Sequence, residues 1–249
     1  MSVEPVETIT LFKFRGINKN LIDTLIKGII YCTRPALLND PFDCQVDIKK
    51  AAEKAIDLLS GKKRQNLMRL SKLKYFFDDI QSAIRRAGIC SFSLNMEEPL
   101  LWSHYADGHK GLCLTYDIPF HLFFELSKQI EGAILPVDYG ENPLTDWFIE
   151  NTPETAKIDS QEFSNSLVKK CLSIKGPGWA YEKEARIICN KEGALQIPKI
   201  FLKQVCFGMN AAESDISLIK QITESNGYSV EYYQIKRGEQ DFGTKKVRI

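Results

Sequence analysis

The residues best suited to chemistry are two glutamates and an arginine that alternate along one short segment. If residues 181–189 form a β-strand, Glu182, Glu184 and Arg186 project from the same face, because side chains two residues apart share a face. The two carboxylates would then lie about 7 Å apart. Like charges at that distance raise a carboxyl pKa, whereas a neighbouring guanidinium lowers it. The pattern is typical of a reactive site, although an exposed ion pair of little energetic weight fits it equally well.

Two further segments carry more polar and aromatic residues than a core requires. They are Leu38–Asp43, with the sequence LNDPFD, and Leu101–Gly111, with the sequence LWSHYADGHKG. In the second segment His104 could act as a general base near neutral pH or as a metal ligand. In the first segment Asn39 and Asp40 could bind a ligand or a hard cation, or they could form Asx turns and a helix cap.

Two more predicted strands contribute polar side chains. Ser91 and Ser93 alternate within the run CSFS and therefore share a face, and Arg15 ends the opening run FKFR. We expect a ligand pocket where the strands that carry the serines and glutamates meet the loops at 39–43 and 104–109.

The elements that must position these residues mix helices and strands without a regular βαβ alternation. Such a mixture favours the α+β class, with a mixed, largely antiparallel sheet and flanking helices, and we predict a single domain over residues 1–249. The predicted strands cover 10–14, 29–33, 88–94, 111–116, 132–137, 181–189, 204–208 and 229–234. The predicted helices lie within 21–29, 52–59, 73–84, 99–106, 119–130, 163–172 and 216–223, and an acidic stretch at 141–161 is interpreted as a loop and a helix start.

Residues 49–88 form a basic helical insertion, with eleven Lys or Arg against four Asp or Glu. Apolar spacing predicts two helices here, separated by Gly61. A solvated face beside the core is the simpler interpretation, and a landing surface for nucleic acid is the alternative. The basic residues are not interleaved with aromatic residues at the spacing used for stacking on single strands.

Composition and the N-terminus restrict the possible classes of protein. The 249 residues are 44% hydrophobic and 26% charged, which is typical of a folded domain. The 33 Lys and Arg nearly balance the 32 Asp and Glu, so no global field would attract nucleic acid or anionic lipid. No run approaches the ~18 apolar residues of a membrane span, and the first residues lack a signal peptide pattern. We therefore expect a cytoplasmic protein without a membrane partner.

The seven cysteines include no Cys-x-x-Cys pair that would indicate a zinc ribbon or a redox dithiol. Cys90, Cys113, Cys189 and Cys206 lie in predicted strands, where a reduced thiol packs as a small apolar group. We predict that these four are core thiols.

Taken together, five motifs resemble those of a widespread bacterial family of unknown function. That family combines a Tyr/Phe-Lys-Tyr/Phe-Arg strand, a Leu-Asn-Asp-Pro-Phe-Asp loop, a Cys-Phe-Ser strand, a Trp-Ser-His-Tyr-Ala-x-x-His-x-Gly turn and a Trp-x-Tyr-Glu-x-Glu-x-Arg strand. Here they read FKFR, LNDPFD, CSFS, WSHYADGHKG and WAYEKEAR, and they span Leu11 to Arg186. The resemblance implies no established activity.

An arginine on the first strand, a Ser-x-Ser strand and a Glu-x-Glu segment after an aromatic turn also resemble the pattern of mono-ADP-ribosyltransferases. This resemblance implies NAD as the nucleotide ligand, with Arg15 on its pyrophosphate. Ser91 and Ser93 would orient the nicotinamide ribose and a glutamate. Glu184 would stabilise positive charge on the ribose, and Glu182 would orient or deprotonate a protein or nucleic-acid acceptor.

Other roles follow from the same resemblance. Trp102, Tyr105 or Tyr181 would stack on the nicotinamide, although the helical spacing of Trp102 favours core packing. Arg34 is an alternative to Arg15.

Two further hypotheses stay open. A metal-dependent nuclease could be built from Asp40, Asp43, Glu182, Glu184 and His104, with the basic helices holding phosphates. A non-enzymatic module could instead bind nucleic acid or protein through those helices.

Overall fold

The computed structural model describes residues 8–119, 133–155, 160–238 and 244–249. Within these ranges it contains one eight-stranded sheet and two sheets of two strands each. No helix in the described ranges is both long enough and apolar enough to cross a membrane. The helix predicted at 119–130 lies outside the described residues, apart from its first position.

The bounds of the elements follow the chain. The strands are β1 (Thr8–Arg15), β2 (Ile29–Cys32), β3 (Gly88–Ser93), β4 (Leu112–Pro119), β5 (Ala133–Pro136), β6 (Asp138–Tyr139), β7 (Ile174–Lys175), β8 (Glu184–Cys189), β9 (Gly193–Gln196), β10 (Leu202–Phe207), β11 (Glu231–Arg237) and β12 (Thr244–Arg248). The helices are α1 (Lys19–Lys27), α2 (Ile48–Leu58), α3 (Gly61–Ser71), α4 (Phe76–Arg86), α5 (Pro99–Tyr105), α6 (Pro143–Asn151), α7 (Gln161–Leu172) and α8 (Glu213–Ser225). Short 3-10 helices cover Pro35–Leu37, Pro177–Glu182 and Lys199–Phe201.

The large sheet has the strand order β12-β11-β10-β4-β1-β3-β8-β5. Its neighbouring strands are antiparallel except for the parallel pair β10 and β11. The small sheets are the antiparallel pair β2 and β9 and the parallel pair β6 and β7. The predicted α+β class with a mixed, largely antiparallel sheet is therefore confirmed.

The sheet opens between β1 and β3. Strand β1 pairs with β4 along its whole length, from Thr8 to Arg15, but its register with β3 is the single pair Phe12 and Ser93. Beyond that pair the strands separate, and the Lys13 Nζ reaches across to donate to the Ser91 carbonyl at 2.5 Å. A side chain thus satisfies a carbonyl that a neighbouring strand would otherwise pair.

Apolar side chains pack on both faces of the sheet. One face is covered by α1 and α8, through residues such as Leu21, Leu25 and Ile219. Helices α2, α3, α4, α6 and α7 form a second core, in which Leu67 and Phe148 are fully buried. Burial of this area, and not the charge of the segment, holds the basic helices in place.

The basic segment differs from its prediction, because it forms three helices and not two. Gly61 begins α3 with a φ of 59°, and α3 lies between the two predicted helices. Its only fully buried residues are Leu67 and Leu70, which stand among charged residues. The apolar stripe is therefore too narrow to stand out in the sequence.

The interpretation of residues 141–161 as a loop and a helix start missed one helix in the described part of that stretch. Helix α6 begins at Pro143, a position that proline favours because the first N–H of a helix has no partner. Leu144 and Phe148 are buried in the second core, and α6 packs against α2. The apolar face outweighs the acidic composition of the segment.

Candidate functional site

A cavity of about 860 Å³ lies where β1 and β3 separate. Its walls come from these strands, α1, β2, the loop that follows β2, and α5. Nine of the residues selected from the sequence line it: Arg15, Asn39, Asp43, Ser91, Ser93, His104, Tyr105, Glu182 and Glu184. The volume is within the range of about 300–1,000 Å³ that is typical of small-molecule sites.

Two other selected residues are not among the described residues that line this cavity. Asp40 accepts a hydrogen bond from the Phe42 N–H at 2.9 Å, which is the Asx turn that the sequence offered as an alternative. Tyr181 packs beside Trp179, with ring centroids 6.1 Å apart. The core packing predicted for Trp102 is confirmed, because its side chain is buried and its ring meets Phe14 edge to face.

The segment with alternating glutamates is not one continuous strand. Glu182 ends a 3-10 helix that begins at Pro177, and Lys183 adopts the left-handed conformation with a φ of 43°. Strand β8 therefore begins at Glu184, and the predicted start at residue 181 was wrong. Proline occupies the first position of this 3-10 helix, where the missing N–H costs no hydrogen bond. The proline therefore favours a 3-10 helix over the strand that the alternating glutamates predicted.

A buried lysine that sequence reasoning missed brings the two glutamates together. The Lys175 Nζ donates to Glu182 Oε2 at 2.6 Å and to Glu184 Oε2 at 3.3 Å. All three side chains are about 5% exposed. The alternative interpretation of this segment as an exposed, weak ion pair is therefore excluded, because these charges are shielded from water and neutralise one another.

Arg186 completes this buried charge cluster, which we define as Asp43, Lys175, Glu182, Glu184 and Arg186. The guanidinium donates to both oxygens of Glu184, at 2.7 and 3.1 Å, and to Asp43 Oδ2 at 2.6 Å. Its remaining N–H groups meet the Leu172 carbonyl at 2.9 Å and the Cys44 sulfur at 3.3 Å. Five donors thus have five acceptors, which is the condition for burying an arginine.

The cluster holds Glu184 in its ionised form. Burial alone would raise the pKa of Glu184, but the charge and hydrogen bonds of Arg186, with Lys175 and the Ser91 hydroxyl, lower it to about 2. Burial lowers the pKa of Lys175, yet the neighbouring Glu184 and Glu182 outweigh this and raise it above its ordinary value. Glu184 and Lys175 are therefore both charged at neutral pH.

Polar side chains from three other elements orient the glutamates. The Tyr105 hydroxyl donates to Glu182 Oε1 at 2.7 Å and accepts from the Asn39 amide at 3.3 Å. The Ser93 hydroxyl donates to the Glu182 carbonyl at 2.6 Å, and the Ser91 hydroxyl helps to lower the pKa of Glu184. The two predicted loops and the Ser-x-Ser strand thus converge on the glutamates.

Basic side chains line a different part of the cavity. Lys13 and Arg15 are half-buried at the end of β1, where this strand has left β3. Arg34, the alternative to Arg15, instead pairs with Glu192 at 2.6 Å. The cavity therefore has a cationic part near β1 and an acidic part at the buried charge cluster.

Residues 101–187 match the family model described as Protein of unknown function (DUF2971). This range contains α5 with His104 and Tyr105, and also the pair Glu182 and Glu184. No curated protein and no solved structure gave a significant match to the chain. The matched range is thus similar to proteins of unknown function, and its chemistry must be argued from the geometry.

The arrangement does not resemble a metal centre. Among residues 8–119, 133–155, 160–238 and 244–249, no group of three or more His, Cys, Asp or Glu is placed to hold a metal ion. The carboxylates proposed as ligands, Asp43, Glu182 and Glu184, accept from Arg186 and Lys175 instead. The metal-dependent nuclease stays a prediction, and this geometry does not favour it.

Two of the basic residues in the helical insertion have structural contacts. The Lys63 Nζ donates to the carbonyls of Ile149 and Glu150 at 3.1 Å, in the last turn of α6. The Arg64 Nε donates to the Ile56 carbonyl near the end of α2, also at 3.1 Å. Cations stabilise the carbonyl end of a helix, so part of this positive charge has a role within the fold.

Proposed function

We propose that the cavity binds NAD and that the chain transfers the ADP-ribose unit of NAD to an acceptor. One observation carries the proposal: Ser91, Ser93 and the ionised Glu184 line the same cavity as Arg15. Arginine, serine and glutamate thus lie around a single volume, as the resemblance to mono-ADP-ribosyltransferases implies.

The charge distribution in the cavity supports this ligand. The pyrophosphate of NAD is anionic and fits the cationic part at Lys13 and Arg15, because a guanidinium binds phosphate oxygens with two donors at once. The nicotinamide ring carries a positive charge and fits the acidic part, where Glu182 and Glu184 lie. A ligand with negative charges on its pyrophosphate and a positive charge on its ring matches a cavity with both signs.

The residues of the acidic part can assist the reaction. When the bond between ribose and nicotinamide breaks, its electron pair leaves with nicotinamide and positive charge develops on the ribose. Glu184, with a pKa of about 2, is a carboxylate that can stabilise this charge. The acceptor then forms its bond to the ribose and loses a proton, for which Glu182 is the candidate base, oriented by Tyr105 and Ser93.

Calorimetric titration with NAD, with nicotinamide release followed in the same samples, tests the proposal. We expect saturable binding by the wild type and release that falls at least 100-fold in Glu184→Gln. Since Glu184 also neutralises Arg186, circular dichroism must show that this variant is folded. Arg15→Ala tests the proposal without changing the buried charge cluster, and we expect it to weaken binding at least tenfold.

The matched control is Glu213→Gln, which removes an exposed glutamate in the first turn of α8 that is not among the residues lining the cavity. It should bind NAD and release nicotinamide like the wild type. The absence of both binding and release in the wild type, with and without magnesium or manganese, would overturn the proposal. Equal activity in wild type and folded Glu184→Gln would overturn the assigned role of Glu184.

A further inference from the structure

Two thiols outside the proposed chemistry lie close together. The sulfur atoms of Cys32 and Cys189 are 3.6 Å apart, and both residues are free cysteines. Cys32 ends β2 and Cys189 ends β8. The four core thiols predicted from the sequence all lie in strands and are free, but Cys189 differs from the other three because it is partly exposed.

Strand β3 runs between the two cysteines, and its first residue leaves space for them. Cys189 lies opposite Gly88 in the register of β3 and β8, whereas Thr33, the residue after Cys32, bridges to Ile89 on β3. A Cβ atom at Gly88 would lie 2.4 Å from the Lys191 carbonyl oxygen and 3.0 Å from the Cys32 Cβ, and both distances are tighter than ordinary contacts. The missing side chain at Gly88 therefore allows the two thiols to meet across the strand.

We propose that Cys32 and Cys189 form a reversible disulfide when a hydroperoxide oxidises Cys189. Cys189 is the entry point because it is partly exposed, whereas Cys32 is 1% exposed. The hydrogen bond between the two thiols acts in the same direction, since it lowers the pKa of Cys189 and raises that of Cys32. Thiolates, not thiols, react with peroxides, so the more acidic and more accessible sulfur reacts first.

The reaction balances in two steps. The Cys189 sulfur takes one oxygen of the hydroperoxide as the O–O bond breaks, and Cys189 becomes a sulfenic acid. The rest of the hydroperoxide departs as an alcohol, or as water when the oxidant is hydrogen peroxide. The Cys32 sulfur then forms the S–S bond, and the sulfenic oxygen leaves as water with the Cys32 proton. The two thiols lose two electrons, which reduce the hydroperoxide, and a dithiol reductant reverses the change.

The disulfide would connect the wall of the cavity to the strand that carries Glu184. Strand β2 contributes Ile29 and Tyr31 to that wall, and β8 begins at Glu184. The bond shortens the sulfur separation from 3.6 Å to about 2.05 Å, so the two side chains, or the strands β2 and β8 that carry them, must shift. This inference does not depend on the proposed function, because the thiols can be counted without any ligand.

The test is a count of free thiols after treatment of the purified protein with hydrogen peroxide. We expect the wild type to lose two of its seven thiols and to regain both with dithiothreitol. In Cys32→Ser, Cys189 should stop at the sulfenic acid and be trapped by dimedone. In Cys189→Ser, Cys32 should keep its thiol. Trypsin releases residues 187–191 with Cys189 as the one cysteine. Because Arg34 precedes Pro35, Cys32 lies with Cys44 in the tryptic peptide 28–49, so fragmentation of the linked peptides by tandem mass spectrometry identifies the partner.

Cys113→Ser provides a matched control. Cys113 lies directly opposite Cys206 in β4 and β10, and both are completely buried, so oxidant should not reach this pair. The variant should lose two thiols, like the wild type. Retention of all seven thiols by the oxidised wild type would overturn the proposal. A disulfide that joins Cys189 to a residue other than Cys32 would also overturn it.

Discussion

The ammonium group of Lys175 lies 2.6 Å from the carboxylate of Glu182, which ties β7 to the last residue of the 3-10 helix that follows it. The same ammonium group contacts Glu184 at 3.3 Å. One cation therefore serves two carboxylates that would otherwise repel each other in a buried site. The geometry of both proposed catalytic glutamates depends on a residue that is itself not a candidate for chemistry.

Lys175→Met should strongly destabilise the protein. The substitution removes the shared cation and leaves buried carboxylates without it, for which we expect a loss of about 3–5 kcal/mol in the free energy of unfolding. Urea unfolding followed by tryptophan fluorescence measures the change. The control is Lys169→Met, at an exposed lysine on α7, which should unfold like the wild type. A Lys175→Met protein as stable as this control would contradict the role assigned to the ammonium group.

The pKa of Glu184 predicts the effect of acid on stability. The folded pKa is about 2, below the ordinary value of 4.5, so ionised Glu184 stabilises the fold above pH 4.5. This contribution, roughly 3 kcal/mol, should be lost as the pH falls from 4.5 to about 2. Urea unfolding between pH 6 and pH 2 measures it. If Glu184→Gln shows the same slope over this range, the loss belongs to other groups.

Tyr105→Phe should test the orientation of Glu182 while keeping the glutamate itself. The substitution removes the hydroxyl that donates to Glu182 Oε1 at 2.7 Å but keeps the ring. We expect a loss of about 1.5–3 kcal/mol in the free energy of unfolding, because a hydrogen bond to a buried carboxylate is lost. If Glu182 is the base, the transfer of ADP-ribose to an acceptor, followed as nicotinamide release, should also slow. Tyr75→Phe, at an exposed tyrosine, is the matched control in both assays.

Lys63→Ala distinguishes a structural role of the basic helices from a binding role. Lys63 contacts the last carbonyls of α6, so we expect a loss of about 0.3–1 kcal/mol in the free energy of unfolding. Its exposed neighbour Lys62 should give no such loss on substitution by alanine. Fluorescence anisotropy with a labelled oligonucleotide provides the second measurement. Tight, salt-dependent binding that Lys62→Ala weakens would favour the nucleic-acid alternative for this segment.

Much of the fold could be predicted from the sequence, because short-range patterns determine it. The β-branched and aromatic runs of β3 and β4 and the proline-initiated α5 lie close to their predicted positions. Helix α3 could not be separated from its neighbours, since Leu67 and Leu70 are too few to form a clear apolar stripe. Helix α6 was not predicted because the segment around it is acidic, although Leu144 and Phe148 pack it into the core.

The candidate site was predictable where its residues follow a period of two and not where tertiary contacts assemble it. Ser91 and Ser93 share a strand and were selected for that reason. No sequence periodicity links Lys175 to the glutamates. The 3-10 helix between Lys175 and Glu182 folds the chain so that the lysine contacts Glu182. A lysine beside a Gly-Pro-Gly turn is a weak signal that the sequence did offer. Arg186 was expected to contact a glutamate, but its complete burial required knowledge of Asp43 and Leu172.

The opening between β1 and β3 divides the cavity into parts of different origin along the chain. The cationic part belongs to the first fifteen residues, whereas Lys175, Glu182 and Glu184 lie more than 150 residues later, inside the range that matches the family model. Because β1 meets β3 through one residue pair and the Lys13 hydrogen bond, substitutions near Arg15 can change what the cavity accepts while the buried charges stay intact. Ligand preference can therefore diverge among proteins that keep the same glutamates.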